Sequence, residues 1–285
     1  MKPKAEMEKV SDRKGVVLAI EHSAAVERQV NVWSCESNGQ QNDVVAEEVA
    51  IALVYNGISH AVMMASPKEL EAFAVGFSLT EGIINCSADI LAIDIVKKEV
   101  GIEVDLTISS RRFMQLKHRR RSLTGRTGCG ICGAESLEQA RPDLAMVKAC
   151  VSINHAAVNL ATATLSLHQP LQALTGALHG AAWCDIEGNI LKVCEDVGRH
   201  NALDKLIGSL WPLGNIKQPG FLLMSSRASY EIVQKAAKVG IAVVAAVSAP
   251  TSLAIDVADT VGITLIGFSR QNRHIVYTHA QRITE

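Results

Sequence analysis

The sequence is poor in aromatic side chains and almost neutral in charge. Only 4% of its 285 residues are Phe, Trp or Tyr, whereas 48% are hydrophobic. The formal net charge is -1, so no overall field directs the protein to nucleic acid or to an anionic membrane surface. No apolar run approaches the roughly 20 residues that a transmembrane helix needs, and no apolar signal peptide opens the chain. We therefore expect a cytoplasmic protein without a nucleic-acid or membrane partner.

Cysteine is present in an odd number, seven, and without the spacing of a zinc site. Zinc usually takes four ligands, often from a second C-x-x-C or an H-x-x-x-H, and the sequence has neither. One pair, Cys129 and Cys132, does have C-x-x-C spacing. Three interpretations of this pair stay open: sulfur or redox chemistry, half of a zinc site, and an inert structural pair. The reducing cytoplasm favours the first, and we expect no metal.

The residues around the pair favour a reactive thiol. Three glycines lie between 128 and 133, so the backbone can turn sharply and approach another molecule closely. A basic run, residues 117–126, precedes the pair. Nearby positive charge lowers a thiol pKa below its free value of about 8.5. This segment is therefore the candidate catalytic loop.

Periodicity predicts four regions. Residues 1–14 form a charged tail, residues 15–110 a small α+β domain, residues 111–140 the basic segment with the reactive loop, and residues 141–285 a larger α/β domain.

In the first domain, Asn56-Gly57 between two apolar runs predicts a hairpin. Val16–Ile20 and Val30–Trp33 have the composition of strands, and residues 90–96 and 102–108 predict a second hairpin. Ser66 is a candidate helix cap before Pro67, in a helix that ends near residue 82.

The middle of the chain is more helical. Residues 111–126 predict a basic amphipathic helix, residues 136–151 show some helical character, and residues 154–168 predict a further helix.

The last third alternates strands and helices. Strands are predicted at 220–225, 241–247 and 263–268, with helices at 230–239 and 253–261 between them. This order implies right-handed crossovers and a parallel core. A hairpin turns at 187–189 ahead of a helix at 201–210, and 275–279 adds an edge strand.

Polar residues follow each of the three predicted parallel strands. In an open α/β sheet, ligands bind at the carboxyl ends of such strands. Hydroxyls and free N–H groups there suit an anion, and arginines suit phosphate. Ordinary helix capping and surface arginines are the alternative for any one loop. The candidate ligand residues are Ser225, Arg227, Phe268, Ser269, Arg270, Gln271, Asn272 and Arg273.

Two histidines lie in other polar clusters. His179 precedes a strand, and His200 belongs to a stretch of acids, bases and amides over 195–205. Capping by Asp196 and pairing of Arg199 with Asp204 would explain much of that stretch. A ligand-binding role for the two histidines stays equally open.

With these residues in view, the chain resembles the FdhD/NarQ family of formate dehydrogenase accessory proteins. The resemblance spans most of the chain, and its set of motifs is specific. The segments that carry it are MMASPKELEAFAVGFSLTEGI at 63–83, RTGCGICG at 126–133, TGALHGAA at 175–182, EDVGRHNALDKLIG at 195–208, SSRASYEIVQKAA at 225–237 and AVSAPTSLAIDVA at 246–258.

The resemblance implies a sulfur carrier. A cysteine desulfurase would hand persulfide sulfur to Cys129, with Cys132 as companion. The carrier would pass it to the molybdenum bis-molybdopterin guanine dinucleotide cofactor that formate dehydrogenase needs. The cofactor-binding segment maps onto 268–273, so GDP or GMP should serve as a fragment mimic. The family also implies a homodimer.

The family's larger domain resembles the cytidine deaminase fold, a three-layer α/β/α arrangement. Deaminases use H-x-E with P-C-x-x-C to hold zinc. This chain has His179 but Ala181 in place of the glutamate, and no cysteine pair follows. The departure argues against deamination and against zinc. Whether the carrier counts as an enzyme is open, and a cofactor-holding chaperone without sulfur chemistry is the rival interpretation.

Overall fold

The described part of the chain contains a six-stranded and a four-stranded β-sheet, together with two pairs of strands, Ala25–Trp33 with Asn38–Ala46 and Ile153–Asn154 with Ile283–Thr284. The computed structural model describes residues 24–35, 38–122 (backbone only at 119–122), 144–148, 150–211, 214, 216, 218–270 and 273–285. The strands are β1 (Ala25–Trp33), β2 (Asn38–Ala46), β3 (Val49–Tyr55), β4 (Ile58–Ala65), β5 (Ile90–Lys98), β6 (Gly101–Ile108), β7 (Ile153–Asn154), β8 (His179–Asp185), β9 (Ile190–Asp196), β10 (Gly220–Met224), β11 (Val243–Ala246), β12 (Thr264–Arg270), β13 (Arg273–Val276) and β14 (Ile283–Thr284). The helices are α1 (Leu70–Thr80), α2 (Ser110–Ser122), α3 (His155–Thr164), α4 (Pro170–Thr175), α5 (Arg199–Leu210), α6 (Tyr230–Lys238) and α7 (Ser252–Val261). In this part of the chain no helix is long and apolar enough to cross a membrane.

The smaller sheet has the order β4-β3-β6-β5. Both predicted hairpins are confirmed, because β3 pairs with β4 and β5 pairs with β6, each antiparallel. Asn56 and Gly57 have φ values of 48° and 75°, the left-handed values that a tight two-residue hairpin turn needs. A separate ribbon of β1 and β2 precedes this sheet, and it includes the predicted strand at Val30–Trp33. The strand predicted at Val16–Ile20 lies outside the described residues.

The larger sheet has the order β13-β12-β11-β10-β8-β9. Its centre is parallel, as predicted, because β11 pairs in parallel with both β10 and β12. The unbroken apolar sequence of these strands matches their burial. The hairpin of β8 and β9 is also confirmed, and β8 runs antiparallel to β10. The amino end of β8 therefore lies at the carboxyl end of the parallel strands.

Helices α1 and α5 cross at glycines and join the two sheets into one core. A Cβ atom on Gly76 would lie 1.8 Å from the Asp204 carbonyl oxygen, and one on Gly208 would lie 1.8 Å from the Ala72 carbonyl oxygen. Hydrophobic residues of both sheets belong to a single buried cluster. The division of the chain at residues 110 and 140 stays a prediction.

Two buried lysine–aspartate pairs reinforce this junction. Lys205 Nζ lies 2.6 Å from Asp196 Oδ2, and both side chains are fully buried. Lys235 Nζ lies 2.9 Å from Asp204 Oδ2, and Thr80 donates a 2.8 Å hydrogen bond to Asp204 Oδ1. Asp204 thus pairs with a lysine of α6, and the pairing with Arg199 considered from the sequence is wrong. Breaking such a buried pair by removing one partner is strongly destabilising, by about 3–5 kcal/mol.

The predicted helix start at Ser66 and Pro67 is wrong. The helix begins at Leu70 after Glu69, whose φ is 54°. The backbone of Ser66 instead binds the larger sheet and α5: its N–H donates to Asp196 Oδ2 of β9, and its carbonyl accepts from Lys205 Nζ of α5. These tertiary hydrogen bonds outweigh the local capping signal.

Between residues 110 and 168, two of the three predicted helical segments are confirmed and one is not. Helix α2 confirms the basic helix, and α3 followed by a 3-10 turn (Leu165–His168) confirms the predicted helix at 154–168. Residues 144–148 and 150–151 are not helical. Val147 is buried there and its N–H donates to the Val261 carbonyl, so this backbone hydrogen bond goes to the end of α7 rather than to a helix of its own.

Candidate functional site

A cleft lies where the three parallel strands end. Ser225 follows β10, Val247 follows β11 and Arg270 ends β12, and all three line it. The cleft has a volume of about 320 Å³, which is at the small end of the range for small-molecule sites. The topological rule thus placed these strand ends at one edge correctly.

The opposite wall of the cleft comes from α3 and the turn after it. Asn159, Thr162 and Ala163 of α3 contribute, and Leu165, Ser166 and Gln169 follow from the turn. Helix α3 packs on β12, and the hydroxyls of Thr162 and Ser269 lie 2.7 Å apart. Thr162 Oγ1 also donates to the Val158 carbonyl at 2.8 Å, so Ser269 must be the donor between the two hydroxyls. Ser269 is fully buried and holds the wall in place rather than facing a ligand.

A bulge in β12 directs Arg270 toward the cleft. Pairing with β13 is irregular between Gly267 and Arg270, and Phe268 has a φ of 51°. Such a value is uncommon outside glycine and is often found near functional sites. A Cβ at Gly267 would lie 2.6 Å from Pro250 Cδ, so β12 passes too close to Pro250 for any residue larger than glycine at this position. The Arg270 guanidinium lies 5.7 Å from the Phe268 ring centre, and the residue is exposed. It is therefore available to an anionic ligand.

Ser225 is fixed by the antiparallel strand beside it. The Gly180 N–H donates to Ser225 Oγ at 2.8 Å, and the Ser225 N–H donates to the Gly180 carbonyl at 2.9 Å. Since the hydroxyl oxygen accepts here, its own proton remains for another acceptor. Ser225 thus offers the cleft a positioned neutral donor.

Neither of the two histidines lines the cleft. Burial lowers the pKa of His179, and the neighbouring Arg199 and His200 lower it further, which favours its neutral form. His200 Nε2 lies 2.6 Å from Glu231 Oε2 and 3.3 Å from Ser229 Oγ. The hydrogen bond from His200 lowers the pKa of Glu231. His200 therefore anchors α5 to α6, and direct ligand contact by either histidine stays a prediction.

The remaining residues that the sequence predicted as ligand or catalytic residues are not found in the described cleft lining. Arg227 and Arg273 are exposed, and neither lines the cleft. The remaining candidates lie outside the described residues: Gln271, Asn272, Cys129 and Cys132. The sequence analysis missed the α3 wall, above all Gln169. No motif marks that residue, since it lies far from the strand ends in sequence and only the packing of α3 brings it to them.

The described cysteines differ sharply in exposure. Cys184 and Cys194 are buried, and burial raises the pKa of the Cys194 thiol to about 12. These thiols are unsuited to nucleophilic chemistry. Cys35, Cys86 and Cys150 are exposed free thiols. Across the described ranges no group of three or more His, Cys, Asp or Glu residues is arranged to hold a metal ion.

Comparison with known proteins identifies the family. The model of the FdhD/NarQ family matches residues 46–284. A protein of Cupriavidus necator named "Sulfur carrier protein FdhD" is 54% identical over 241 residues, which is 85% of this chain and 84% of the relative. A crystal structure from Desulfotalea psychrophila, described as a formate dehydrogenase accessory protein, superposes with a TM-score of 0.71 at 23% identity, covering 92% of this chain and all of that one; it supports the fold alone. With the family model matched over most of its length and a relative more than half identical, the chain belongs to the FdhD/NarQ family.

Proposed function

We propose that the protein is a sulfur carrier for formate dehydrogenase. In this proposal it accepts persulfide sulfur on Cys129 and passes it to the molybdenum bis-molybdopterin guanine dinucleotide cofactor, bound at the cleft, before the cofactor enters formate dehydrogenase. The observation that carries the proposal is the 54% identity to a protein named for sulfur carriage. The cleft supports it, since exposed Arg270 at a strand end suits the phosphates of a dinucleotide.

Sulfur uptake is a thiol exchange that balances without an oxidant. The Cys129 thiolate attacks the outer sulfur of the desulfurase persulfide, a new S–S bond forms, and the desulfurase cysteine leaves as a thiolate. Release is the reductive step. Cys132 attacks Cys129 Sγ, forms a disulfide with it, and expels the outer sulfur as hydrosulfide, which carries the two electrons. A cellular thiol reductant then restores both cysteines.

The basic helix α2 ends at Ser122, seven positions before Cys129 in the sequence. The ammonium nitrogen of Lys117 lies 4.4 Å from the Phe113 ring centre, so the half-buried lysine makes a cation–π contact within the helix. Arg112 is instead held by Asp89 at 2.9 Å and has a structural role. The remaining positive charges of α2 would favour a thiolate nearby and an acidic surface on the desulfurase.

Mass spectrometry tests the sulfur step. After incubation with a cysteine desulfurase and cysteine, the wild type should gain sulfur mass, and Cys129→Ser should not. Cys132→Ser should gain sulfur and fail to release it. Cys150→Ser is the matched control, because Cys150 is an exposed single thiol, and it should behave as the wild type. Full formate dehydrogenase activation by Cys129→Ser would instead support the cofactor-holding chaperone.

Calorimetry with GDP tests the cleft. Loss of one charge-assisted contact costs about 1.5–3 kcal/mol, so Arg270→Ala should weaken GDP about ten- to a hundredfold. Arg111→Ala, an exposed arginine that does not line the cleft, should leave GDP affinity unchanged. Equal GDP binding by the wild type and Arg270→Ala would place the cofactor elsewhere.

A further inference from the structure

Arg199 is a half-buried arginine with no ion-pair partner among the described residues. It begins α5, and its Nε is buried without a hydrogen-bond partner in that part of the chain. Its two Nη nitrogens also bind no described residue, and they are not among the buried unpaired atoms, so they reach solvent. A guanidinium cannot lose its charge in a protein, and a partly buried charge without a counter-charge is costly. An anion from outside the chain would reduce that cost.

The acids nearest to the start of α5 are engaged by other groups. Asp196 is fully buried and pairs with Lys205 at 2.6 Å. Glu231 is influenced by the positive charge of Arg199, yet its Oε2 lies 2.6 Å from His200 Nε2. Neither acid forms an ion pair with Arg199 in the described structure, so the charge of Arg199 is left for a ligand.

His179 lies on the same side of the larger sheet as Arg199, away from the cleft. Successive side chains of a strand point to opposite faces. A Cβ on Gly180 would lie 2.5 Å from the amide nitrogen of Gln169, which lines the cleft, so His179 points to the other face, where α5 packs. The His179 ring has no hydrogen-bond partner among the described residues, and neither ring nitrogen is among the buried unpaired atoms. The ring therefore also reaches solvent.

The two side chains combine one fixed charge with a neutral imidazole. Burial, Arg199 and His200 lower the pKa of His179, and Asp196 opposes them, so the ring is neutral near pH 7. A neutral imidazole offers one N–H donor and one acceptor nitrogen. A guanidinium is more weakly hydrated than an ammonium group, which suits an anion that is itself weakly hydrated. Hydrosulfide fits this pair, because it has a single charge, a polarisable sulfur and one proton to donate.

We propose that Arg199 and His179 form a binding site for hydrosulfide on the face of the larger sheet opposite to the cleft. Arg199 supplies the charge, and His179 supplies a hydrogen bond. The inference rests on the proposed function, in which the reductive step expels the sulfur as hydrosulfide. Since β8 runs antiparallel to β10, His179 lies at the edge of the sheet where the parallel strands end. The site would thus hold the expelled sulfur at the edge that also carries the cleft.

Nuclear magnetic resonance of the histidine rings tests the site on the full-length protein, with its cysteines reduced and oxygen excluded. Sodium hydrosulfide should shift the His179 signals, which the variant His179→Gln identifies, and should raise the pKa of His179, because a nearby anion favours the protonated imidazole. Thiocyanate, a monoanion that cannot form a persulfide, should compete with hydrosulfide. Unmoved His179 signals would overturn the proposal, and so would tighter binding of inorganic phosphate than of hydrosulfide.

The variant Arg199→Gln removes the charge and keeps a planar amide. It should weaken hydrosulfide binding about 10- to 100-fold, as expected for the loss of one charge-assisted contact. Arg199→Lys, which keeps the charge, should recover most of the affinity. Arg111→Gln removes an exposed arginine of α2 and should leave hydrosulfide affinity unchanged. A purely structural arginine would instead lower the thermal midpoint in Arg199→Gln and leave hydrosulfide affinity as in the wild type, and that result would reject the site.

Sulfur loading separates this proposal from the proposed function. Arg199→Gln should take up sulfur on Cys129 as the wild type does and should activate formate dehydrogenase less. Full activation by Arg199→Gln would reject the role of the site in sulfur delivery, while the sulfur carrier stands. If the wild type takes up no sulfur on Cys129, the proposed function fails, and the hydrosulfide titration alone then accepts or rejects the anion site.

Discussion

The crossing of α1 and α5 predicts a large loss of stability for a small substitution, because the backbones of the two helices are in direct contact there. A Cβ on Gly76 would lie 1.8 Å from the Asp204 carbonyl oxygen and 2.9 Å from the Gly208 nitrogen. Non-bonded heavy atoms prefer about 3.5 Å, so Gly76→Ala would force the helices apart by more than about 1 Å. No side-chain rotation can relieve a contact between a Cβ and a carbonyl.

The magnitude follows from two opposing terms. Overpacking typically costs about 1–3 kcal/mol, occasionally more, and a backbone clash lies at the upper end. The gain in helix propensity from Gly to Ala is about 1 kcal/mol. Gly76→Ala should therefore lose at least about 2 kcal/mol of the free energy of unfolding, measured in urea. Gly208→Ala should lose a similar amount, since its Cβ would lie 1.8 Å from the Ala72 carbonyl oxygen.

The double variant and a control make the test decisive. One helix displacement relieves both clashes, so Gly76→Ala with Gly208→Ala should cost clearly less than the sum of the single changes. At Gly39 in β2, an added Cβ would meet nothing within 4 Å, and Gly39→Ala should stay within about 0.5 kcal/mol of the wild type. A neutral Gly76→Ala, or strict additivity, would refute the close crossing.

Three further predictions address the buried charges and the cleft. Lys205→Met leaves its fully buried aspartate unpaired, so urea unfolding should show a loss of about 3–5 kcal/mol; a loss under about 1 kcal/mol would contradict the pairing. The His200 hydrogen bond lowers the pKa of Glu231 below its ordinary 4.5, so its stabilisation is present above pH 4.5 and is lost as the pH falls through the lowered pKa. The stability difference between wild type and Glu231→Gln should therefore shrink as the pH is lowered from above 4.5 through the lowered pKa of Glu231, and a constant difference would exclude this linkage. Gly180→Ala places a Cβ 2.5 Å from the amide nitrogen of Gln169 and would displace this residue, which lines the cleft, so calorimetry should show weaker GDP binding with sulfur uptake unchanged; unaltered GDP affinity would show that the nucleotide does not bind at this wall of the cleft.

The elements that the sequence predicts well are those whose signals are local. Asn56-Gly57 requires only two left-handed residues between apolar runs, and both residues have that conformation. The parallel strands require only unbroken apolar runs at regular spacing, and their shared edge follows from topology. The sequence alone is therefore enough to place Ser225 and Arg270 at one edge of the sheet.

The elements that the sequence predicts poorly depend on distant partners. Ser66 has the residue type of a helix cap, yet Asp196 and Lys205, more than a hundred residues away, bind its backbone. Asp204 has a basic neighbour in sequence and pairs instead with Lys235 of the next helix. No sequence pattern marks Gln169, because only the packing of the folded chain brings it into the lining of the cleft.

The buried polar groups of the core and of the cleft differ in a way that bears on function. Deep in the junction, Lys205 and Asp196 have no exposed surface, and each has its partner. At the cleft, Gln169 is nearly as buried and its amide nitrogen is unpaired within the described structure. The buried charges of the core are thus paired, whereas a single neutral amide nitrogen at the cleft is not. Because Gln169 lines the cleft, the wall of the cleft carries a penalty of about 1–3 kcal/mol that the paired charges of the core do not, and a ligand that let the amide find an acceptor would remove it.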